Sequence, residues 1–358
     1  MDLHPFVPFS TIREIESWQP LVHVCRRWRC LVFGSPHRLN LQVCCYQPRR
    51  LAKKCLDAWP ALPLVILGNV WCPWGMSESV ESVDHVIAEL KHSDRICQIN
   101  LRLQRSSQIE KLRTVMQVPF PELARLCLSS RDLSSFTNLN QLVFPDSFLG
   151  GSAPRLRYIY LNAIPFPGLP KLLLSATHLV KLTLYGIPRA GYISPETMAT
   201  CLSMLTRLEN LQFKFDSRQS YPDLKSRRPF PPTRSVLPTL TSFCFKGVSE
   251  YSEEFMARID APQLDQLLIT FCNDIDFKAP ELNQFISRTP KLGAYDMAHV
   301  SFDRHHAQVV LRPKPFAYDH RIVRVKISPV SDPQLYSPLL TLAEILTYQR
   351  HFLYVSQE

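Results

Sequence analysis

The sequence predicts an α/β fold in which a short N-terminal helical segment precedes an irregular solenoid of strand–helix repeats. Two observations support this prediction. A frame of three large apolar residues, spaced apolar–x–x–apolar–x–apolar, recurs nine times between residues 96 and 297. Apolar residues also recur at helical spacing over residues 17 to 34. With 358 residues the chain exceeds the size at which one globular core keeps growing, which favours two domains or an elongated array.

The first element is a helix that we expect to begin near Ser17 and to end at Gly34. Its apolar residues follow one another every three or four positions and therefore share one stripe. They are Trp18, Leu21, Val22, Cys25, Trp28, Leu31 and Val32. A stripe of this kind more often packs into the protein's own core than against a partner, so its role stays open at this point.

Strands are predicted over residues 39–43 and 61–67, with helices through residues 51–56 and 80–90 between and after them. The recurring frames follow, at Ile96-Ile99-Leu101, Leu123-Leu126-Leu128, Leu139-Leu142-Phe144, Leu156-Ile159-Leu161, Leu179-Leu182-Leu184, Leu208-Leu211-Phe213, Leu240-Phe243-Phe245, Leu264-Leu267-Ile269 and Leu292-Tyr295-Met297. The last two positions of each frame differ by two residues, so in an extended strand both side chains point into the core.

A frame of this form is typical of leucine-rich-repeat solenoids. Several frames begin two residues after a proline, for example after Pro121, Pro238 and Pro262. Proline biases its neighbour towards extended geometry and blocks helix entry into the strand. A solenoid offers a surface for another macromolecule and seldom encloses a catalytic pocket, so we expect a binding protein.

The predicted organisation has three parts: a helical segment at residues 1–36, the solenoid at residues 37–310, and a cap or tail at residues 311–358. Within the solenoid, residues 216–238 contain five prolines and five basic residues with little apolar periodicity. We interpret this segment as an exposed insertion.

Composition restricts the functional class further. The net charge of +10 is compatible with acidic partners, but the basic residues are dispersed and show no alternation with aromatic residues, which does not favour nucleic acid. The eleven cysteines lack the spacing of a disulfide scaffold, no secretory signal is recognised, and the longest apolar stretch is too short to cross a bilayer. We therefore expect a soluble protein of the cytoplasm or nucleus, without a membrane partner.

Motifs of catalysis or of metal and cofactor binding are absent from the sequence. Gly150-Gly151-Ser152 lacks the rest of a nucleophile elbow, and the Gly186/Gly191 pair lacks the lysine and hydroxyl of a phosphate loop. No Cys-x-x-Cys pair occurs. We predict no enzyme activity and no cofactor.

The string Trp18-Gln-Pro-Leu21-Val-His-Val-Cys25-Arg26-Arg27-Trp28-Arg29 resembles the second half of an F-box. Together with the repeats behind it, the chain is similar to fungal F-box-like proteins with C-terminal leucine-rich repeats. The resemblance implies a substrate-recruiting subunit of a cullin–RING ubiquitin ligase whose helix docks on the adaptor Skp1. The residues that it assigns to Skp1 are Trp18, Leu21, Val24, Cys25, Trp28 and Leu31.

The repeats would then bind a protein substrate through side chains on the exposed side of their strands. Seven candidates follow from the frame: Arg157, Tyr160, Lys181, Thr183, Gln212, Gln266 and Leu268. An alternative also follows, because residues 1–16 lack the Leu-Pro-x-Glu segment with which an F-box usually begins. In that alternative the protein is a leucine-rich-repeat scaffold whose degenerate F-box does not bind Skp1.

Overall fold

The structure is a computed structural model. Its fold is mixed α/β, as predicted. The structure describes residues 19–34, 42–45, 62–68, 87, 89–130, 143–215, 234–272, 279–292, 297–302, 307–312, 322–327 and 353–357. The chain divides into two compact units. Unit 1 comprises Met1–Asp132 and Ser147–Arg155, and unit 2 comprises Leu133–Asp146 and Leu156–Glu358. The predicted strand at 39–43 and the helices through 51–56 and 80–90 lie largely outside the described residues.

Unit 1 contains a parallel sheet in which four strands lie side by side in chain order. Its elements are α1 (Gln19–Val24), α2 (Arg26–Phe33), β1 (Val43–Cys45), β2 (Leu64–Gly68), β3 (Ile96–Leu103), α3 (Ser106–Val115) and β4 (Arg125–Ser130), with 3-10 turns at Glu89–Lys91 and Phe148–Gly151.

Unit 2 contains a larger, mostly parallel sheet with the strand order β5-β6-β7-β9-β11-β14-β13-β12-β15. Its strands are β5 (Tyr158–Asn162), β6 (Lys181–Ile187), β7 (Asn210–Phe215), β8 (Ser235–Val236), β9 (Ser242–Gly247), β10 (Ile259–Asp260), β11 (Gln266–Phe271), β12 (Met297–Phe302), β13 (Ala307–Arg312), β14 (Ile322–Ile327) and β15 (Leu353–Gln357). Its helices are α4 (Leu169–Ser175), α5 (Pro195–Leu202), α6 (Ser249–Met256) and α7 (Pro280–Arg288), with a 3-10 turn at Arg189–Gly191. The helices contact one another in chain order: α4 with α5, α5 with α6, and α6 with α7.

The apolar frame forms the core of both units. In every frame that lies wholly within the described residues, each of the three side chains is no more than 4 % exposed. Frame residues of neighbouring strands share a register, as Leu182 does with Leu211 and Leu211 with Phe243. The prediction that the frame marks buried strand positions is therefore confirmed for these frames.

The proline before a frame has a more specific role than the one expected from sequence. The amide of Leu240 donates to the carbonyl of Leu237, and the amide of Leu264 donates to that of Ala261. Both are four-residue turns with proline in the second position, where its fixed φ suits a type I or II turn. The turn also forms without proline, since Leu208 donates to Leu205. The recurring unit is thus a tight turn followed by a strand.

The helix predicted over residues 17–34 is interrupted within the described residues. Cys25 has an extended backbone (φ −160°, ψ 170°), so α1 ends at Val24 and α2 begins at Arg26. An extended residue cannot continue a helical hydrogen-bond ladder, and the chain therefore changes direction there. The prediction of one continuous helix is wrong in this respect.

The end of the parallel run also differs from a regular array. A uniform repeat would place the ninth frame beside the eighth, yet β11 pairs with β14, and β13 and β12 follow in antiparallel pairing. The predicted boundary at residue 310 falls inside β13. Pairing of β14 with β11 could not be read from the frame, because residues 322–327 belong to none of the nine frames.

Residues 216–233 of the predicted insertion lie outside the described residues. The following residues are ordered against the helical side of unit 2: β8 pairs with β10 in parallel, and Leu237 is only 1 % exposed. Leu237 is thus buried at the end of the segment, whereas Arg234, Val236 and Pro238 remain exposed.

Candidate partner-binding surfaces

The helix pair α1–α2 leaves most of its large apolar side chains in contact with solvent. Leu21 is 37 % exposed, Val24 65 %, Trp28 46 % and Leu31 63 %, and Cys25 is exposed as well. We call these five residues the helix-pair patch. They are the residues that the F-box resemblance assigns to Skp1, apart from Trp18, which lies outside the described residues.

Two other apolar residues of the predicted stripe are buried. Val22 is 0 % exposed and Val32 is 3 % exposed. The break at Cys25 is stabilised by hydrogen bonds, because the Arg29 amide donates to the Cys25 carbonyl and Arg29 Nε donates to the Val22 carbonyl, both at 3.1 Å. The stripe is thus divided between an inward side and the helix-pair patch.

The charged residues of the helix pair itself have one sign. Arg26 and Arg27 are exposed on α2, and no aspartate or glutamate occurs between residues 19 and 34. A partner that covers this patch therefore needs an apolar surface with acidic residues near it.

A second surface is formed by the strand side chains of unit 2 that point away from the core. We call it the strand face of unit 2. Across the parallel strands, Tyr160 pairs with Thr183, Thr183 with Gln212, Gln212 with Cys244, and Cys244 with Leu268. Because the side chains of a strand alternate, this row lies opposite the buried frame residues. Four of the predicted substrate contacts, Tyr160, Thr183, Gln212 and Leu268, belong to it.

The other predicted contacts lie at the beginning of the strands. Lys181 and Gln266 open β6 and β11, and Arg157 is exposed directly before β5. Lys181, Tyr160, Gln266 and Leu268 are partly exposed. These residues are accessible to a partner, as the sequence predicts.

The predicted exposure is wrong for Thr183 and Gln212, whose side chains are only 2 % and 7 % exposed. Their neighbours on the same face cover them. The Tyr185 hydroxyl donates to Gln212 Oε1 at 2.5 Å, and the Tyr160 and Tyr185 rings meet edge to face at 5.5 Å. Both side chains belong to the packed floor of the strand face and are not exposed contacts.

Two residues missing from the sequence-based set, Tyr185 and Lys214, complete this cluster. The Lys214 ammonium group lies 4.3 Å from the centre of the Tyr185 ring, a cation–π contact. Burial raises the pKa of Tyr185, so the phenol stays neutral and its hydroxyl remains a hydrogen-bond donor to Gln212. The period of two could have identified both residues, since each follows a predicted contact by two positions.

Sites for other chemistry were sought among the same residues. Within the described part of the chain, no three His, Cys, Asp or Glu side chains are grouped so that they could hold a metal ion. Helices long and apolar enough to span a membrane are likewise not found there. An apolar cavity of about 20 Å³ lies in unit 2, lined by Phe166, Phe215 and Tyr251 among others, with room for little more than one water molecule.

Comparison of the chain with protein-family models, with curated proteins and with solved structures finds no match. Functional inference therefore depends on the residues and on their geometry.

Proposed function

We propose that this protein is a non-catalytic adaptor of an SCF-type (cullin–RING) ubiquitin ligase, active in the cytoplasm or nucleus. In this proposal α1–α2 dock on a Skp1-like adaptor, and the strand face of unit 2 contributes to the binding of a protein substrate. The observation that carries the proposal is the exposure of the helix-pair patch, which coincides with the residues that the F-box resemblance assigns to Skp1.

Exposure of these side chains is unfavourable unless a partner covers them. Full burial of a leucine, valine or phenylalanine side chain is more favourable than its exposure to water by roughly 1.5–3 kcal/mol of free energy. Single exposed apolar residues are ordinary on protein surfaces, but Val24, Trp28 and Leu31 are grouped within two short helices. Groups of this kind on helices are typical of surfaces that bind another helical protein.

We further propose that the repeats form an irregular leucine-rich-repeat solenoid. Support comes from the parallel strands that follow chain order within each unit, from the turn that recurs before the strands, and from helices that contact their chain neighbours. A repeat of this kind buries its core only against neighbouring repeats, so its stability is cooperative.

Co-purification with Skp1 tests the docking function. The full chain, expressed together with Skp1, should retain the adaptor through affinity purification. The double substitution Trp28→Ala with Leu31→Ala should abolish this recovery, because it removes apolar area that the partner would bury. A matched control, Leu174→Ala with Met204→Ala, changes two apolar residues of similar exposure (50 % and 52 %) in unit 2 and should leave recovery intact.

Circular dichroism of each variant separates loss of docking from loss of folding. Failure to recover Skp1 with the unaltered chain, even when Skp1 is overexpressed, would overturn the adaptor function. The protein would then be the leucine-rich-repeat scaffold with a degenerate F-box. Equal loss in the docking and control variants would also contradict the assignment of α1–α2.

A further inference from the structure

The charged residues of the unit 2 sheet have one sign and lie on one side. The strands β5, β6, β7, β9 and β11 to β15 contain no aspartate or glutamate. Their basic residues are Lys181, Lys214, Lys246, Arg312, Arg324 and Lys326. All six alternate with buried core residues, which places them on the strand face. A sheet face of this kind attracts anions, since no carboxylate of the same strands compensates it.

The register brings several of these cations close together. Lys214 pairs with Lys246, Lys246 pairs with Thr270, and Thr270 pairs with Lys326. Neighbouring strands are about 4.8 Å apart, so the three lysines follow a line about 14 Å long across β7, β9, β11 and β14. Arg324 lies on β14 two residues before Lys326, on the same face. We call Lys214, Lys246, Lys326 and Arg324 the basic row.

None of the ion pairs among the described residues involves the basic row; they occur elsewhere, as in Arg258–Glu254 and Arg288–Asp260. The Nε atom of Arg324 is buried and has no hydrogen-bond partner within the described residues. Lys246 is exposed and Lys326 partly exposed. Juxtaposed like charges destabilise a folded protein, and no carboxylate among the described residues pairs with the row, so an anion that contacts it would be stabilising.

We propose that the strand face of unit 2 binds an extended acidic segment of a protein, whose carboxylates contact Lys246, Lys326 and Arg324. This inference deepens the proposed function, in which the segment belongs to the substrate. Leu268 and Tyr160 lie in the adjoining row and offer apolar contact to the same segment.

The alternative anion, single-stranded nucleic acid, is less well matched. Nucleic-acid platforms combine cations with exposed aromatic rings on which bases stack. Among the described residues, the aromatic ring in contact with the basic row is that of Tyr185, and it is already covered by Lys214 and by the edge of Tyr160. An aspartate- or glutamate-rich peptide needs only the cations and the polar row beside them.

The test is a fluorescence-anisotropy titration of the full chain with a synthetic peptide, without Skp1. The probe is a labelled Gly/Ser peptide of about twelve residues with glutamate at alternate positions, long enough to exceed the basic row at ~3.3 Å per residue. A peptide with glutamine in place of each glutamate is the neutral control. We expect the glutamate peptide to bind at least about tenfold more tightly, with affinity falling as salt rises.

Charge-reversed variants locate the site. Lys246→Glu with Lys326→Glu should weaken binding of the glutamate peptide by about tenfold or more, whereas Lys246→Arg with Lys326→Arg should retain it. The matched control, Lys171→Glu with Arg207→Glu, alters net charge equally at exposed positions outside the strands and should change affinity less than about twofold. Circular dichroism establishes that the variants remain folded.

Equal binding of the two peptides, or equal weakening by both charge-reversed pairs, would overturn the inference. So would tighter binding of a single-stranded RNA of equal charge that is lost in the Lys246/Lys326 variant, which would assign the face to nucleic acid. Skp1 is absent from this experiment. A failure of the chain to bind the glutamate peptide is therefore distinguishable from a failure to dock on Skp1.

Discussion

Large apolar side chains are buried in the interior of unit 2 but exposed in the helix pair of unit 1. Phe213, Phe243 and Phe255 are each no more than 1 % exposed, and their ring centres lie 5.6–6.2 Å apart. Val24, Trp28 and Leu31 of the helix pair are 46–65 % exposed. Periodic apolar spacing predicts Phe213 and Phe243 as well as Trp28 and Leu31, so periodicity alone does not distinguish a core from a docking surface.

The difference arises from what surrounds each periodic segment. A frame strand is hydrogen-bonded to a neighbour on both sides, and helices such as α6 cover the core face of the sheet, as Phe255 of α6 does against Phe213 and Phe243. The helix pair has two buried apolar residues, Val22 and Val32, and a half-buried one, Phe33. Its remaining apolar area stays exposed within the chain, which is the physical basis of the proposed docking.

Thiol reactivity should show a large contrast between the exposed helix pair and a strand of the unit 1 sheet. Cys25 and Cys30 are exposed in the helix pair, whereas burial raises the pKa of Cys97 in β3 to about 12 and its thiol donates to the Leu64 carbonyl. At pH 8 the Cys97 thiol is neutral and hydrogen-bonded, so we expect iodoacetamide to modify Cys25 and Cys30 more than about tenfold faster. Peptide mapping by mass spectrometry measures each rate.

Denaturant provides the control for that experiment, because unfolding should bring the three rates close together. Rapid modification of Cys97 in the folded protein would contradict the raised pKa of its thiol. Slow modification of Cys25 and Cys30 would show that the helix pair is covered within the chain itself.

Phe255→Ala should have the largest effect on stability. The side chain is fully buried against Phe213, Phe243 and Tyr251, and loss of such a phenylalanine costs about 3–5 kcal/mol of unfolding free energy. Urea unfolding followed by circular dichroism measures the change. Leu174→Ala, at a half-exposed position of α4, is the control and should cost less than about 1 kcal/mol.

Arg288→Met should have the next largest effect, since Arg288 connects α7 to the preceding repeat. Its Nε donates to Asp260 Oδ1 at 2.7 Å, and its guanidinium also donates to the carbonyls of Met256 and Ile259. Methionine preserves most of the apolar stem but leaves these acceptors without their donor. We expect a loss of about 1–3 kcal/mol in urea unfolding, against almost none for Arg207→Met in an exposed turn.

Ser194→Ala should cost about 1 kcal/mol, because Ser194 Oγ accepts from the Thr197 amide and caps α5. Ser194→Asp should preserve stability, since aspartate caps equally well and its charge suits a helix N-terminus. Thermal unfolding of the three proteins measures this. Similar destabilisation by alanine and aspartate would mean that the cap is not what stabilises the helix start.

The sequence predicts local features of this molecule better than long-range ones. The frame identifies buried strand positions because alternation is a property of each strand, and Ser194-Pro195 identifies the start of α5 because capping is local. The pairing of β14 with β11 depends on residues far apart in the chain. Burial of Thr183 likewise depends on residues of neighbouring strands, which a single frame does not contain.

The helix-pair patch could be predicted only in part from the sequence. Its residues could be named from the F-box resemblance, but the break at Cys25 and the inward turn of Val22 and Val32 could not be read from helical spacing. An uninterrupted helix would place Val22 and Cys25 on neighbouring positions of one stripe. The extended Cys25 separates them and leaves the patch on the solvent side.

Trp28→Ala should have only a small effect on stability. Since the ring is 46 % exposed, its removal should cost less than about 1 kcal/mol in urea unfolding, although tryptophan is the largest side chain. The same substitution, with Leu31→Ala, should abolish recovery of Skp1. A cost approaching that of Phe255→Ala would show that Trp28 stabilises the fold itself, and the contrast between a closed core and an open docking surface would then no longer hold.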